Sequence, residues 1–88
     1  MPSSEALACR VCGLRQAEPP WGSDGQAPSH EICDCCGVEF GYEDMRGESV
    51  RRYRQAWVER GYPWFNQSAR PVGWSFDEQA GNIPSGFR

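Results

Sequence analysis

The sequence contains no lysine and no threonine, and it has one histidine, His30. Without lysine, the chain can form neither a lysine Schiff base nor the phosphate-binding loop that requires a lysine. No apolar run approaches the roughly 20 residues of a membrane helix, so we expect no membrane association. Residues 1–8 lack the basic and apolar regions of a secretory signal. Together with an odd number of cysteines, five, this predicts a protein of the reducing cytoplasm.

The charge balance argues against nucleic acid and anionic membranes as partners. All basic residues are arginines, and the formal net charge is −3. A zinc ion bound by four thiolates would make the charge more negative by about 2. An acidic protein is not attracted to nucleic acid or to anionic membranes, so we expect neither as a partner.

A chain of 88 residues predicts a single domain, 1–88, whose small core a structural metal would supplement.

Four of the five cysteines fall in two CxxCG motifs. Two residues between paired cysteines let both sulfurs face one ion, and the following glycine accepts the left-handed backbone conformation of the turn. Twenty residues separate Cys12 from Cys33, close to the spacing of structural zinc sites. The motifs predict one tetrahedral metal site and no catalytic or other cofactor-binding residue. Its ligands would be Cys9, Cys12, Cys33 and Cys36.

The predicted metal is zinc, because closed four-cysteine sites most often hold it. Rubredoxin uses the same paired turns around iron for electron transfer, and thiolates bind either metal. An iron site is therefore the alternative.

Cys35 and His30 lie beside the second motif but outside the predicted ligand set. A thiol next to a metal can have a lowered pKa and act in redox chemistry. We interpret Cys35 as a packed residue instead, because no further spare cysteine could resolve an oxidised intermediate. His30 could replace a ligand or act as a base for Cys35, but four cysteines already fill the site. We expect it to be solvated or hydrogen-bonded.

The predicted fold is a small α+β domain that begins with a zinc-ribbon lobe over residues 7–46. Residues 7–11, 31–33 and 38–42 alternate apolar and polar side chains and predict short antiparallel strands that carry the two cysteine turns. Residues 15–29 predict a loop, because Pro19-Pro20 and a Gly/Ser/Asp cluster interrupt regular structure. We expect Trp21 in this loop to fold back onto the lobe.

An amphipathic helix and an aromatic segment over residues 49–80 are predicted to pack on that lobe. The apolar stripe of the helix consists of Val50, Tyr53, Trp57 and Val58. Ser49 is predicted to cap its start, and Gly61 fits the position just past its end. The aromatic residues that follow could be core or dimer surface; they are Trp64, Phe65 and Trp74. Residues 82–88 are predicted to form a loose tail.

The run from His30 to Asp44, with Cys33-Asp34-Cys35-Cys36-Gly37 at its centre, resembles the signature of a family of small bacterial cysteine-rich proteins. The family is called CPCC after its Cys-Pro-Cys-Cys turn. The likeness covers roughly residues 7–80 and extends to further segments: the Pro-Pro-aromatic loop, Tyr53-Arg54-x-x-Trp57, Trp64-Phe65 and Pro71-x-x-Trp74. Asp34 replaces the family's proline, which puts in doubt any role of that proline but not metal binding. The resemblance implies a zinc ribbon and, for some relatives, a part in toxin–immunity systems.

These observations predict a non-enzymatic, zinc-stabilised module that binds a protein partner, with a homodimer as a further option. The candidate contact surfaces are the aromatic C-terminal segment and the arginine-bearing face of the helix, formed by Arg51, Arg52, Arg54 and Arg60. Two alternatives stay open: a rubredoxin-like iron electron carrier, and a thiol-redox or zinc-responsive protein acting through Cys35.

Overall fold

The computed structural model describes residues 4–88 and contains three α-helices. They are α1 (Ser4–Leu7), α2 (Gly47–Glu59) and α3 (Phe76–Ala80), and two 3₁₀ turns, Gln67–Ala69 and Ser85–Phe87, follow α2 and α3 respectively. Within this described part, no helix is long and apolar enough to cross a membrane.

The predicted zinc ribbon on antiparallel strands is wrong, because residues 4–88 contain no β-strand. Leu7 ends α1, and the chain segments around the cysteines meet at isolated antiparallel bridges, Ala8 with Arg15 and Ile32 with Glu39. The segments that flank each cysteine turn, here called arms, are too short to form the continuous row of hydrogen bonds that defines a β-sheet. Pro19-Pro20 follows the first arm, and proline cannot donate a ladder hydrogen bond. His30 precedes the second arm with a φ of 63°, which is incompatible with an extended strand.

The predicted amphipathic helix is present as α2. Val50 and Trp57 are fully buried on its inner face. The helix begins two residues before the predicted cap, Ser49, and its N-cap residue Arg46 makes no side-chain capping bond. It ends at Glu59, and the amide of Gly61 bonds to the Val58 carbonyl oxygen at 2.9 Å.

An aromatic core connects α2 to the C-terminal segment. The indole of Trp57 makes edge contacts with the rings of Tyr62, Trp74 and Phe76. The ring of Trp64 lies edge-on to that of Trp74, with centroids 5.3 Å apart. Trp64 is buried, so Trp64 and Trp74 belong to the core, whereas Phe65 is 62% exposed.

The end of the chain packs against the rest of the molecule, where the sequence predicts a loose tail over residues 82–88. Ile83 is 5% exposed. The Phe87 carbonyl oxygen accepts a hydrogen bond of 2.6 Å from Arg54 on α2. This contact brings the last 3₁₀ turn beside α2.

Candidate metal centre

The four cysteines of the two CxxCG motifs come together as a group that could hold a metal ion. Their sulfur atoms all lie within 4.8 Å of one another, and all four side chains are buried. The Sγ atoms of Cys9 and Cys36 are 3.7 Å apart, and those of Cys12 and Cys33 are 3.6 Å apart. Each close pair therefore joins one motif to the other.

The sulfur separations fit a tetrahedral ion and exclude a disulfide. Four sulfurs at the zinc–sulfur distance of about 2.3 Å from a central ion lie ~3.8 Å apart in a tetrahedron. The sulfur separations of the two close pairs, 3.7 and 3.6 Å, are near this value. A disulfide requires about 2.05 Å, and all five cysteines are free thiols. The donor set thus fits a four-coordinate metal, although the sulfurs do not specify which one.

Each motif forms the same tight turn, here called a knuckle: residues 9–13 and residues 33–37. The amide of Gly13 donates to the Cys9 carbonyl oxygen at 2.9 Å, and the amide of Gly37 donates to that of Cys33 at 3.0 Å. Both glycines have a φ near +80°, which L-residues with a side chain rarely adopt. The predicted role of the two glycines is confirmed.

The two knuckles are a structural repeat with an offset of 24 residues. The amide of Cys9 donates to the carbonyl oxygen of Leu14, and the amide of Cys33 donates to that of Val38, both at 2.9 Å. The next bond outward repeats as well, from Gln16 to Leu7 and from Phe40 to Glu31. Each half of the site is therefore built by the same backbone pattern.

Each tight turn leaves three carbonyl oxygens without a hydrogen-bond donor inside the turn, and in the first knuckle side chains from other segments bond them. Arg54 of α2 donates from Nε to the Val11 oxygen at 2.6 Å and from Nη2 to the Arg10 oxygen at 2.9 Å. Nε2 of Gln79 donates to the Cys12 oxygen at 3.0 Å. These bonds matter because a buried, unpaired carbonyl is costly.

The same three carbonyls of the second knuckle have different donors. The backbone amides of Phe65 and Asn66 donate to the oxygens of Cys35 and Asp34 at 3.0 and 2.8 Å. The hydroxyl of Tyr53 donates to the Cys36 oxygen at 3.0 Å. The neighbouring residues Tyr53 and Arg54 thus hold one knuckle each.

Ionisation of all four clustered thiols is unfavourable in the absence of a cation. Burial raises the pKa of the Cys12 and Cys36 thiols. Hydrogen bonds with neighbouring thiols, first that of Cys12, lower the pKa of Cys33. Buried thiolates so close together repel one another, and a divalent cation would remove this repulsion as the thiols release their protons.

Cys35 and His30 lie outside this group. Cys35 is fully buried and occupies the place that Val11 has in the first knuckle. Its sulfur accepts a hydrogen bond from Gln79 at 3.4 Å. His30 is exposed and does not belong to the group of clustered cysteines.

A stacked arginine attaches the loop before the second knuckle to the first. The Arg10 guanidinium lies 4.0 Å from the centre of the Trp21 ring and 4.3 Å from that of Phe87. The indole nitrogen of Trp21 donates to the buried carboxylate of Asp44 at 2.8 Å. Burial lowers the pKa of Arg10, and the charge of Asp44 opposes that shift. Trp21 therefore folds back onto this lobe, as predicted.

Sequence reasoning identified the cluster and missed the side chains that support it. Arg54 lies four residues after Val50 and three before Trp57, so it falls within the apolar stripe of α2. An arginine in such a stripe is a signal that its side chain has an internal partner, since buried charges are hydrogen-bonded. The roles of Gln79 and Asp44 had no comparable signal.

Comparison with known proteins assigns no family. No protein-family model and no solved structure matches the chain. The chain is 27% identical over 79 residues to the uncharacterised protein YozI of Bacillus subtilis (strain 168). The alignment covers 72% of this chain and 65% of that relative, so the chain spans about two thirds of its length. The resemblance to the CPCC family stays a prediction.

Proposed function

We propose that the protein is a non-enzymatic, zinc-stabilised module that binds a protein partner. The observation that carries the proposal is the meeting of four buried cysteine sulfurs within 4.8 Å of one another, with two pairs at 3.6 and 3.7 Å. Zinc at this place would supply folding free energy, on the order of 10 kcal/mol in structural zinc peptides.

The donor set supports a structural role for the metal. Structural zinc sites take all four ligands from the protein, whereas catalytic sites leave one position for water or substrate. Here four thiols are available. The backbone oxygens of the two knuckles accept hydrogen bonds from the side chains of Tyr53, Arg54 and Gln79, which fixes the turns that carry the thiols. We assign zinc rather than iron because it is the usual occupant of closed four-thiolate sites.

Partner binding is the part of the proposal that depends on the surface. Phe65 is 62% exposed and Val72 is completely exposed, so the C-terminal segment presents apolar side chains. The arginine-bearing face of α2 is narrower than predicted, because Arg54 turns inward. Five free thiols suit a reducing compartment, for which we propose the cytoplasm. If the chain is a CPCC protein, a toxin is one candidate partner.

Two matched cysteine variants test the metal's role. Cys12→Ser and Cys35→Ser each remove one fully buried sulfur, but only Cys12 belongs to the clustered group. We expect Cys12→Ser to lose bound zinc and its near-ultraviolet circular dichroism, and Cys35→Ser to keep both. Equal zinc loss in the two variants, or a native spectrum in metal-free Cys12→Ser, would contradict the proposal.

The burial of Cys35 does not favour the thiol-redox alternative, since reactive cysteines are accessible. An iron electron carrier would bind its metal through the same four sulfurs, so the arrangement of the cysteines does not separate it from a zinc module. Metal analysis of the purified wild-type chain distinguishes it from the zinc module.

A further inference from the structure

A groove of about 390 Å³ lies between the loop after the first knuckle and the arm before the second. Its apolar lining includes Ile32, which is 44% exposed, and Phe40, which is buried. The groove is therefore a concave surface with an apolar base that solvent can reach.

The rim of the groove is acidic. Three of its lining residues carry carboxylates, Glu18, Glu31 and Asp34, and none of its lining residues is basic. All three are exposed. Within residues 4–88 none of these carboxylates forms an ion pair, and the ion pair found there joins Arg52 to Glu48 on α2. The groove thus presents unneutralised negative charge.

A zinc-loaded metal centre would add negative charge from beneath the same surface. Gln16, which also lines the groove, donates a hydrogen bond of 3.6 Å to the sulfur of Cys33. Asp34 follows Cys33 directly in the second knuckle. A zinc ion with four thiolates carries a net charge of about −2, and a low-dielectric interior screens this charge poorly.

We propose that this groove is a partner-binding surface and that it receives a basic, partly apolar segment of a protein. Arginine side chains would pair with the rim carboxylates, which they can contact through two nitrogens. An apolar side chain of the same segment would pack on Ile32. The proposal rests on the proposed function and adds to it the site and the chemistry of the partner.

The arginines of α2 are a weaker candidate for the contact. Arg54 is engaged with carbonyl oxygens of the first knuckle, and Arg52 already pairs with Glu48 at 2.9 Å. An acidic partner would also be repelled by the net charge of the chain, −3 before any metal is bound.

Three short fluorescent peptides test the proposal against the zinc-loaded full chain by fluorescence anisotropy. One alternates arginine and leucine, the second replaces arginine by glutamate, and the third replaces leucine by serine. We expect the arginine–leucine peptide to bind at least tenfold more tightly than the glutamate–leucine peptide. Its binding should weaken with added salt, since screening reduces attraction between exposed charges.

Matched variants separate the groove from general charge attraction. Glu18→Gln, Glu31→Gln and Asp34→Asn should each weaken binding of the arginine–leucine peptide about two- to fivefold, the range of an exposed ion pair. Glu59→Gln and Asp77→Asn change the net charge equally but lie outside the groove, so they should leave binding unchanged. Ile32→Ser should weaken binding of the arginine–leucine peptide and spare the arginine–serine peptide.

The two proposals can fail separately. If the wild-type chain holds no zinc, the proposed function fails before any peptide is added. If the zinc-loaded chain does not prefer the arginine–leucine peptide, or if Glu59→Gln weakens binding as much as Glu31→Gln, the groove proposal is overturned and the metal centre stands.

Discussion

At the residue scale, the main finding is that two neighbouring side chains of α2 complete both knuckles. Tyr53 donates to the second knuckle, and Arg54 donates to the first and to the Phe87 carbonyl oxygen. Their adjacency in the sequence sends one side chain to each half of the metal centre. The helix thereby fixes the relative position of the four sulfurs.

Replacing Arg54 should destabilise the zinc-loaded protein strongly. Arg54→Met leaves three carbonyl oxygens without a donor, and we expect a loss of roughly 3 kcal/mol in the free energy of unfolding. Arg54→Lys keeps the charge but lacks the planar fork, so it should recover a part of this loss. Denaturant unfolding at fixed free zinc measures both.

The control for Arg54 is Arg52→Met on the same helix. Arg52 is 74% exposed and pairs with Glu48, so its loss should cost about 0.5 kcal/mol or less. Equal effects of Arg52→Met and Arg54→Met would show that the carbonyl contacts contribute little.

Because of Tyr53, the free energy of unfolding should fall as the pH becomes alkaline. Burial raises its pKa to about 12, above the ordinary value of about 10. Folding therefore favours the neutral hydroxyl, whose contribution is complete below pH ~10 and is lost as the pH rises through about 12. The stability of Tyr53→Phe should fall less steeply over this interval.

A tyrosinate absorbance titration checks the shift directly. The difference between the wild type and Tyr53→Phe should have its midpoint near pH 12. A midpoint near pH 10, the value of a free tyrosine, would mean that the hydroxyl is not held at the Cys36 carbonyl.

At the element scale, the candidate metal centre consists of two knuckles with the same backbone pattern but different surroundings. A side chain added at Gly13 would clash with the backbone oxygen of Gln79, which cannot move freely. A side chain at Gly37 would lie 3.3 Å from the ring of Phe65, which is exposed and can shift. The different surroundings thus predict that the same substitution, glycine to alanine, costs more stability at Gly13 than at Gly37.

Three alanine variants measure this difference. Gly25→Ala and Gly37→Ala should each cost about 1–2 kcal/mol, because both glycines have a positive φ. Gly25 has no atom within 4 Å of an added side chain and serves as the control. Gly13→Ala should cost about 2 kcal/mol more through overpacking. Equal losses of stability at Gly13 and Gly37 would contradict the packing described here.

The elements also show what the sequence could and could not predict. The cysteine spacing predicted the cluster of four sulfurs, and the period of the apolar residues predicted α2, because both signals are local. Alternating residues around the cysteines also suggested strands, but a strand needs a partner of matching length. Pro19-Pro20 and the left-handed His30 shorten the arms to single bridges. Side-chain donors to the knuckles come from residues distant in sequence and, apart from the position of Arg54 within the apolar stripe of α2, left no local pattern.

At the scale of the whole molecule, one buried cluster contains both the cysteines and the aromatic core. Trp57 and Trp64 belong to it together with the four clustered cysteines and Cys35. A chain of 88 residues has a small core, so loss of the metal should affect the aromatic part as well. We therefore expect metal binding and tryptophan packing to be lost together.

The two buried tryptophans should differ in their response to phenylalanine. The indole nitrogen of Trp57 donates to the Pro63 oxygen at 2.8 Å, whereas that of Trp64 has no hydrogen-bond partner among the described residues. Trp57→Phe loses a hydrogen bond and buried area. Trp64→Phe loses buried area but no hydrogen bond, and it removes an unpaired polar group. Thermal unfolding should show a loss about 1 kcal/mol larger for Trp57→Phe. A larger loss for Trp64→Phe would indicate an unrecognised partner for its indole nitrogen.

The measurement that tests the central claim most directly is the metal content of the freshly purified wild-type chain, by elemental mass spectrometry, with an absorbance spectrum of the same sample. We expect one zinc ion per chain and a colourless solution. A natively folded chain without metal would contradict the four-thiolate site, and iron with visible thiolate charge-transfer bands would contradict the zinc assignment and favour electron transfer.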